Sequence, residues 1–154
     1  MDFRLSEEQQ ALQAAAREFA RGEMTAVAQE VEREAQPLSR DWVKRYAEMG
    51  FLGVNIPTRY GGLGLGNVDA LLVLEEFAKI SSAVAFPIFE SVVGPVRALE
   101  HFADDALKDR VIPAVCRGEM MVAVAMSEPD AGTALTDLRT RAEVRGDRIV
   151  LNGA

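Results

Sequence analysis

The spacing of apolar residues predicts helices through most of the chain. Ser6 and Gln9 form a capping-box pattern at the start of the first helix, and Pro37 ends the apolar periodicity that follows. Further helices are predicted in four stretches, residues 39–50, 67–80, 83–102 and 104–118. Asn67 is expected to cap the second of these stretches, whose apolar residues cover more than one side and predict a central helix.

A glycine-rich segment, residues 51–66, separates two of the predicted helices. Its apolar residues include Phe51, Leu52, Val54 and Ile56, which indicate an ordered loop. The run Gly61–Gly66 lacks the glycine spacing of a dinucleotide-binding loop, and no strand precedes it. A structural loop is therefore favoured over a phosphate-binding one.

After the last helix the pattern changes from helical to extended. Met121–Ala125 is a short apolar run that predicts a buried strand, and residues 127–133 form a turn-rich loop. Thr140–Val144 and Arg148–Asn152 then alternate about Gly146-Asp147, a pair suited to a tight hairpin turn.

These elements predict a mainly α fold in which an N-terminal orthogonal helical bundle is followed by the first strands of a truncated β-domain. The expected boundaries are residues 1–119 for the helical domain and residues 120–154 for the start of the β-domain. About three strands cannot close a sandwich or a barrel, so we expect the second domain to be incomplete.

Composition narrows the classes of function. The 154 residues carry a net charge of −7, which disfavours nucleic acid and anionic membranes as partners. Cys116 and His101 are each the single residue of their type, which excludes an intrachain disulfide and clustered-histidine or thiolate metal sites. The longest apolar stretches, Met120–Met126 and Ala83–Phe89, are far shorter than the roughly 20 residues of a membrane span. We therefore expect a soluble cytoplasmic protein without a membrane span.

Four glutamates are the candidates for general acid–base chemistry, because the lone histidine has no evident partner. Glu75 and Glu76 have an ordinary alternative as the polar face of their helix. Glu90 lies in an apolar run, where burial beside a structural partner is favoured over catalysis. The fourth, Glu128, lies in the turn-rich loop.

The segment Ala125–Thr133 combines hydroxyls, small residues and free backbone N–H groups in one loop. Such a loop can approach a planar heteroaromatic ring and can cradle a phosphate with Gly132 and Thr133. On this chemistry alone, an ordinary exit from a strand is as good an interpretation as a cofactor site.

Several motifs resemble the acyl-CoA dehydrogenase family. Residues 125–133 resemble the strand and the Ser/Thr-Glu-Pro-x-Ala-Gly-Ser/Thr loop that contacts flavin in that family. The other matching motifs are Ser6-Glu7-Glu8-Gln9, Gly50-Phe51-Leu52-Gly53, Pro57-x-x-Tyr60-Gly61-Gly62, Pro113–Glu119, Arg139-Thr140-x-Ala142 and Leu151-Asn152-Gly153. They occur in the family's order and spacing over the whole chain. One departure is Ala134, where the family usually has an aspartate.

The resemblance implies an FAD enzyme with a helical N-terminal domain, a middle β-domain and a C-terminal four-helix domain. Such an enzyme oxidises an acyl-CoA thioester to the 2,3-enoyl-CoA. A carboxylate removes the α-proton, the β-hydrogen passes as hydride to flavin N5, and the electrons then leave to an electron-transfer flavoprotein. The family also implies a homo- or hetero-oligomer.

The resemblance also implies roles for individual residues. Val124, Ala125, Met126 and Ser127 are expected to line the FAD, with the Ser127 hydroxyl directed to its pyrimidine side. Thr133 matches the residue that contacts both FAD and the CoA portion of the substrate.

The family's catalytic carboxylate belongs to its C-terminal helical domain, so we assign no catalytic residue in this chain. We expect the chain to be the N-terminal portion of an FAD-dependent acyl-CoA dehydrogenase, inactive alone. One alternative is a non-catalytic short subunit that docks on a longer dehydrogenase-like chain. Another is a related acyl-CoA oxidase or flavin monooxygenase on the same scaffold.

Overall fold

The computed structural model describes residues 4–154, which divide into two compact units. The first unit ends at Ala123 and is built of helices. The second unit, Val124–Ala154, contains a two-stranded antiparallel hairpin. The predicted mainly α fold, with a helical bundle followed by strands, is confirmed.

The bounds of the elements follow in chain order. The helices of the first unit are α1 (Glu7–Phe19), α2 (Thr25–Glu34), α3 (Arg40–Glu48), α4 (Asn67–Ala78), α5 (Ser82–Val92), α6 (Pro95–Phe102) and α7 (Asp105–Cys116). A π-helical turn, Ala20–Met24, joins α1 to α2, and 3-10 turns at Phe51–Gly53 and Thr58–Tyr60 lie between α3 and α4. The second unit contains a 3-10 turn, Leu135–Asp137, and strands β1 (Arg141–Arg145) and β2 (Arg148–Asn152).

Helix α1 begins with the predicted capping box. The Ser6 hydroxyl accepts a hydrogen bond from the Gln9 backbone N–H at 3.2 Å, and the Ser6 N–H donates to the Gln9 side-chain oxygen at 3.1 Å. Gly22, where the apolar helical spacing is interrupted, lies within the π-helical turn. Because a π turn takes up an extra residue without ending the helix, Ala20 and Met24 both reach the core.

The predicted cap of α4 is wrong by one residue. Gly66 is the N-cap, and its N–H donates to the carboxylate of Asp69 at 2.7 Å. Asn67 is the first helical residue, and its side-chain oxygen instead accepts from the amide of the buried Asn55 at 2.9 Å. A contact with a distant loop therefore decides the role of Asn67.

An aromatic cluster forms the centre of the first unit. Five pairs among the rings of Phe19, Tyr46, Phe51 and Phe77 have centroids 5.0–5.9 Å apart, mostly edge to face. The Tyr46 hydroxyl donates to the Val84 carbonyl at 3.1 Å, so its polar end is satisfied, and burial raises the pKa of Tyr46 well above its usual range. Helix α4, which contributes Phe77, packs against α1 and α5 as a central helix, although part of its surface is exposed.

The glycine-rich loop is ordered, as predicted, and belongs to a second buried cluster. That cluster contains Ile56, Tyr60, Val96, Val111, Ile112, Val115 and Cys116. A Cβ at Gly62 would lie 2.1 Å from the Ile56 carbonyl oxygen, so only glycine fits there. The same carbonyl accepts a hydrogen bond from the Gly64 N–H at 2.9 Å. The glycines therefore allow the close packing of two backbone segments.

One stretch of the first unit has the length and composition of a membrane span. Ser82–Phe102, which covers α5 and α6, has a hydropathy of 1.3 over its most apolar part, of which 44% is buried inside the unit. Val84, Ile88 and Val92 of this stretch face the core, as in a core helix of a folded domain. The expectation that the chain has no membrane-spanning segment stays a prediction.

The hairpin of the second unit has the predicted turn. Arg145 pairs with Arg148, so Gly146 and Asp147 form a two-residue connection. Gly146 has a φ of +64° and Asp147 does not have a positive φ, which is the pattern of a type II′ turn.

The strand predicted at Met121–Ala125 is wrong. These residues have no regular secondary structure, and most of them are exposed. A strand needs a neighbour to pair its backbone groups, and within residues 4–154 β1 pairs with β2 and with no other segment. The apolar run alone carries no information about such a partner.

Candidate functional site

Residues 124–127, where the chain enters the turn-rich loop, form an open segment. Val124, Ala125, Met126 and Ser127 are all exposed, with Val124 at 56% and Met126 at 50%. In the part of the chain that the structure describes, their backbone N–H and C=O groups have no hydrogen-bond partner, and neither has the Ser127 hydroxyl. The segment therefore presents apolar side chains beside unpaired polar backbone groups.

A tight turn follows this segment. The Glu128 N–H donates to the Ala131 carbonyl at 2.9 Å, and the Ala131 N–H donates to the Glu128 carbonyl at 3.1 Å. Pro129 and Asp130 lie at the corner of this turn. Ala131, which closes the turn, is only 1% exposed.

Ser127 and Thr133 flank this turn in the sequence, and both side chains are exposed. A Cβ built at Gly132 would meet no atom within 4 Å, so the space beside this backbone is open. The turn thus places the two hydroxyl residues of the motif on either side of the Glu128–Ala131 bridge. The space beside Gly132, the neighbour of Thr133, is therefore open to a ligand.

The carboxylate of Glu128 closes the loop. It accepts hydrogen bonds from the backbone N–H of Arg139 at 2.7 Å and from that of Thr140 at 2.9 Å. The Arg139 guanidinium also contacts the Asp130 carboxylate at 3.0 Å. We call Glu128 and the two N–H groups it binds the glutamate clasp.

The hydrogen bonds of the clasp determine which ionisation state of Glu128 is favoured. The hydrogen bonds, first from Thr140 and then from the backbone N–H of Arg139, hold the pKa of Glu128 below its usual value of 4.5. Because both carboxylate oxygens are engaged and the charged form is favoured, this residue is poorly suited to general acid–base catalysis.

Glu76 is also removed from the list of catalytic candidates. Its side chain is 1% exposed and accepts two hydrogen bonds from Arg17, each 3.1 Å, and one from Lys79 at 2.9 Å. The hydrogen bond from Arg17 is the main reason that the pKa of Glu76 is lowered. The expectation of a solvated polar face fits Glu75, which is exposed and pairs with Lys79, and is wrong for Glu76.

Glu90 is half-buried, and burial raises the pKa of its carboxyl. The structural partner expected for it is not seen among residues 4–154. Glu90 lies instead at the wall of a groove of about 550 Å³, together with Leu38, Phe86 and Met121.

The glutamate clasp was missed by sequence reasoning. Its sequence signal is weak, because an acid bound to backbone N–H groups 11 and 12 residues away follows no local spacing rule. Glu128, Arg139 and Thr140 each lie within motifs that resemble the family, but the resemblance does not say that they touch.

The sequence profile of the acyl-CoA dehydrogenase N-terminal domain matches residues 6–119. That match covers most of the chain, and the protein belongs to the acyl-CoA dehydrogenase family.

Individual relatives agree with this assignment. Mitochondrial isovaleryl-CoA dehydrogenase of Pongo abelii is 34% identical over 151 residues, which are 97% of this chain and 36% of the relative. The solved structure of glutaryl-coenzyme A dehydrogenase with glutaryl-CoA is 34% identical with a TM-score of 0.92, over 99% of this chain and 39% of that one. An acyl-CoA dehydrogenase complexed with FAD from Bacillus anthracis is 26% identical with a TM-score of 0.89, over 97% of this chain and 26% of that one. The chain thus spans well under half the length of these proteins.

Proposed function

We propose that this chain is the N-terminal part of an FAD-dependent dehydrogenase that introduces a 2,3-double bond into an acyl-CoA thioester. The main support is the family match over residues 6–119, which continues in the relatives through the loop at residues 127–133. FAD, when bound, supplies the acceptor for the hydride that leaves the β-carbon.

The chemistry of the open segment fits a flavin. An isoalloxazine ring has two apolar faces and one edge of alternating carbonyl and N–H groups. Residues 124–127 offer exposed Val124 and Met126 side chains beside unpaired backbone donors and acceptors. Such groups can hold a ring that is apolar on its faces and polar on its edge.

We assign the residues of this chain to binding and orientation. The segment Val124–Ser127 would hold the edge of the flavin, with the Ser127 hydroxyl donating to a pyrimidine oxygen. Thr133, beside the open space at Gly132, would contact both FAD and the CoA part of the substrate. Hydrogen-bond donors at a flavin carbonyl stabilise the negative charge that the ring gains on reduction.

The base that removes the α-proton is proposed to lie outside this chain. Glu76 and Glu128 are both held by hydrogen bonds that favour their ionised form in a structural role. We also propose an electron-transfer flavoprotein as the electron acceptor, an oligomeric parent protein and a cytoplasmic location.

Two preparations test the function. The full-length protein that contains this chain, and the 154-residue chain alone, are purified and assayed for bound flavin by absorbance at 450 nm. Both are then assayed for reduction of an artificial electron acceptor with short, branched and dicarboxylic acyl-CoA substrates. The full-length protein is expected to hold flavin and to reduce the acceptor, and the 154-residue chain is expected to do neither.

Two results would contradict the proposal, and two others would favour its alternatives. Turnover by the 154-residue chain alone would show that the base lies within it, and a full-length protein free of flavin would exclude FAD chemistry. Consumption of oxygen in place of the artificial acceptor would favour an oxidase or a monooxygenase. A defined complex of the 154-residue chain with a longer chain, seen by light scattering, would favour a docking subunit.

A further inference from the structure

We propose that Glu128 is a positioning residue for the flavin: its carboxylate holds the loop at residues 127–133 against Arg139 and Thr140, which directly precede β1, and so fixes the groups that receive the ring. This inference rests on the proposed flavin function of the same segment. It concerns Glu128 as the device that orients the site, not as a group that touches the reacting atoms.

The geometry of the clasp is specific. The two carboxylate oxygens of Glu128 each accept from a different backbone N–H, those of Arg139 and Thr140, at 2.7 and 2.9 Å. Charge-assisted hydrogen bonds to backbone N–H groups are short and directional, and the donors cannot rotate away as a long side chain can. One side chain therefore closes a loop that separates residue 128 from residue 140.

The backbone of Glu128 is fixed at the same time. Its N–H and C=O both pair with Ala131, which is buried, so the residue next to Ser127 is held through main chain and side chain together. Residues 124–127 have no hydrogen bonds of their own in the described part of the chain. At the end where these residues enter the loop, their position is therefore set at Glu128.

The clasp also connects the loop to the hairpin. A Cβ built at Gly153 would lie 2.0 Å from the hydroxyl oxygen of Thr140, so the chain after β2 packs directly on the residue whose N–H binds Glu128. The exit of β2, Thr140 and Glu128 thus form one continuous series of contacts. A change at Glu128 is expected to free the loop while β1 and β2 stay paired.

The ion pair beside the clasp offers a control. The side chains of Arg139 and Asp130 are 78% and 68% exposed, and exposed pairs of this kind contribute little. The backbone N–H of Arg139 survives substitution of its side chain. Arg139→Ala should therefore leave the clasp intact, whereas Glu128→Gln replaces one accepting oxygen with an NH₂ group that faces an N–H donor.

The test uses the full-length holoprotein. FAD is removed, and its rebinding is titrated for wild type, Glu128→Gln, Arg139→Ala and Glu143→Gln. Glu143→Gln removes the same negative charge as Glu128→Gln. Glu143, however, is exposed on β1, where it pairs with Arg145. Glu128→Gln is expected to weaken FAD binding about 10- to 100-fold, by analogy with the loss seen when residues that orient the ligands of a metal ion are removed. The two control variants are expected to stay within about twofold of wild type.

A second readout separates positioning from stability. At saturating FAD, the visible absorbance and circular dichroism of the bound flavin are expected to differ between Glu128→Gln and wild type. The reason is that the hydrogen-bond donors around the ring are arranged differently in the variant. If saturating FAD restores the wild-type spectrum, Glu128 has only a structural role and the inference is wrong. Should Glu128→Gln not fold, Glu128→Asp, whose shorter side chain cannot reach both N–H groups, is tested in the same way.

The outcomes also separate this inference from the proposed function. If the wild-type protein never binds FAD, the function fails and the inference fails with it. If wild type binds FAD and Glu128→Gln binds it equally well, the function stands and only the positioning role is refuted.

Discussion

Substitution of Phe77 tests whether the aromatic cluster is the main source of stability in the first unit. The side chain is fully buried, and its ring lies 5.0, 5.2 and 5.8 Å from those of Tyr46, Phe51 and Phe19. Truncation of a buried phenylalanine to alanine costs about 3–5 kcal/mol through lost transfer free energy and the cavity that remains. Since three ring contacts are lost together, we expect Phe77→Ala to fall in the upper half of that range.

The chain supplies its own control at Phe102, which is 88% exposed. Phe102→Ala has the same chemistry as Phe77→Ala without the burial, so we expect it to change the free energy of unfolding by less than about 0.5 kcal/mol. Phe77→Leu keeps apolar volume but removes the ring contacts, and should fall between the two.

The assay is urea unfolding of the 154-residue chain. It is followed by far-ultraviolet circular dichroism and by the fluorescence of Trp42, the single tryptophan, which packs against the main core. With a slope of about 2 kcal/mol per molar urea, Phe77→Ala should lower the unfolding midpoint by about 2 M. A midpoint no lower than that of Phe102→Ala would refute the aromatic cluster as the centre of the fold.

Three further predictions concern the first unit. Glu76→Gln should lower the urea midpoint at pH 7. Because the folded-state pKa of Glu76 is lowered, its contribution is present above the usual carboxyl value of 4.5 and is lost as pH falls through the lower folded value. The difference between wild type and variant should therefore shrink in acid, and a difference independent of pH would contradict the role of the charge. Gly62→Ala should strongly destabilise the chain, because a Cβ would lie 2.1 Å from the Ile56 carbonyl oxygen. Gly22→Ala, whose Cβ meets no atom within 4 Å, should stabilise by up to about 1 kcal/mol, so equal thermal midpoints for the two variants would show that the clash is relieved.

Local signals predicted the helices and the hairpin well. The capping box at Ser6, the ordered loop after α3 and the two-residue turn at Gly146 and Asp147 all depend on residues within a few positions of one another. Helical periodicity, turn residues and caps are properties of short segments, so a single sequence displays them. The sequence also indicated the family, because the family's motifs lie in order along the chain.

Predictions that needed a partner elsewhere in the chain were less successful. The apolar run Met121–Ala125 has the composition of a strand, but the described chain offers it no neighbour to pair with. Asn67 has the residue type of a helix cap, but Asn55 engages its side chain. In the candidate site, the sequence indicated which residues could receive a flavin but not how the loop that carries them is held.

The sequence by itself therefore determined the helical unit, the hairpin and the family, because local residue spacing and the order of the motifs indicate each of them. Only the tertiary structure decided that Glu76 is buried between Arg17 and Lys79, and that Glu128 binds two backbone N–H groups more than ten residues away. The physical reason is that the state of a carboxylate depends on which donors surround it in space. Those donors come from parts of the chain that only folding brings together.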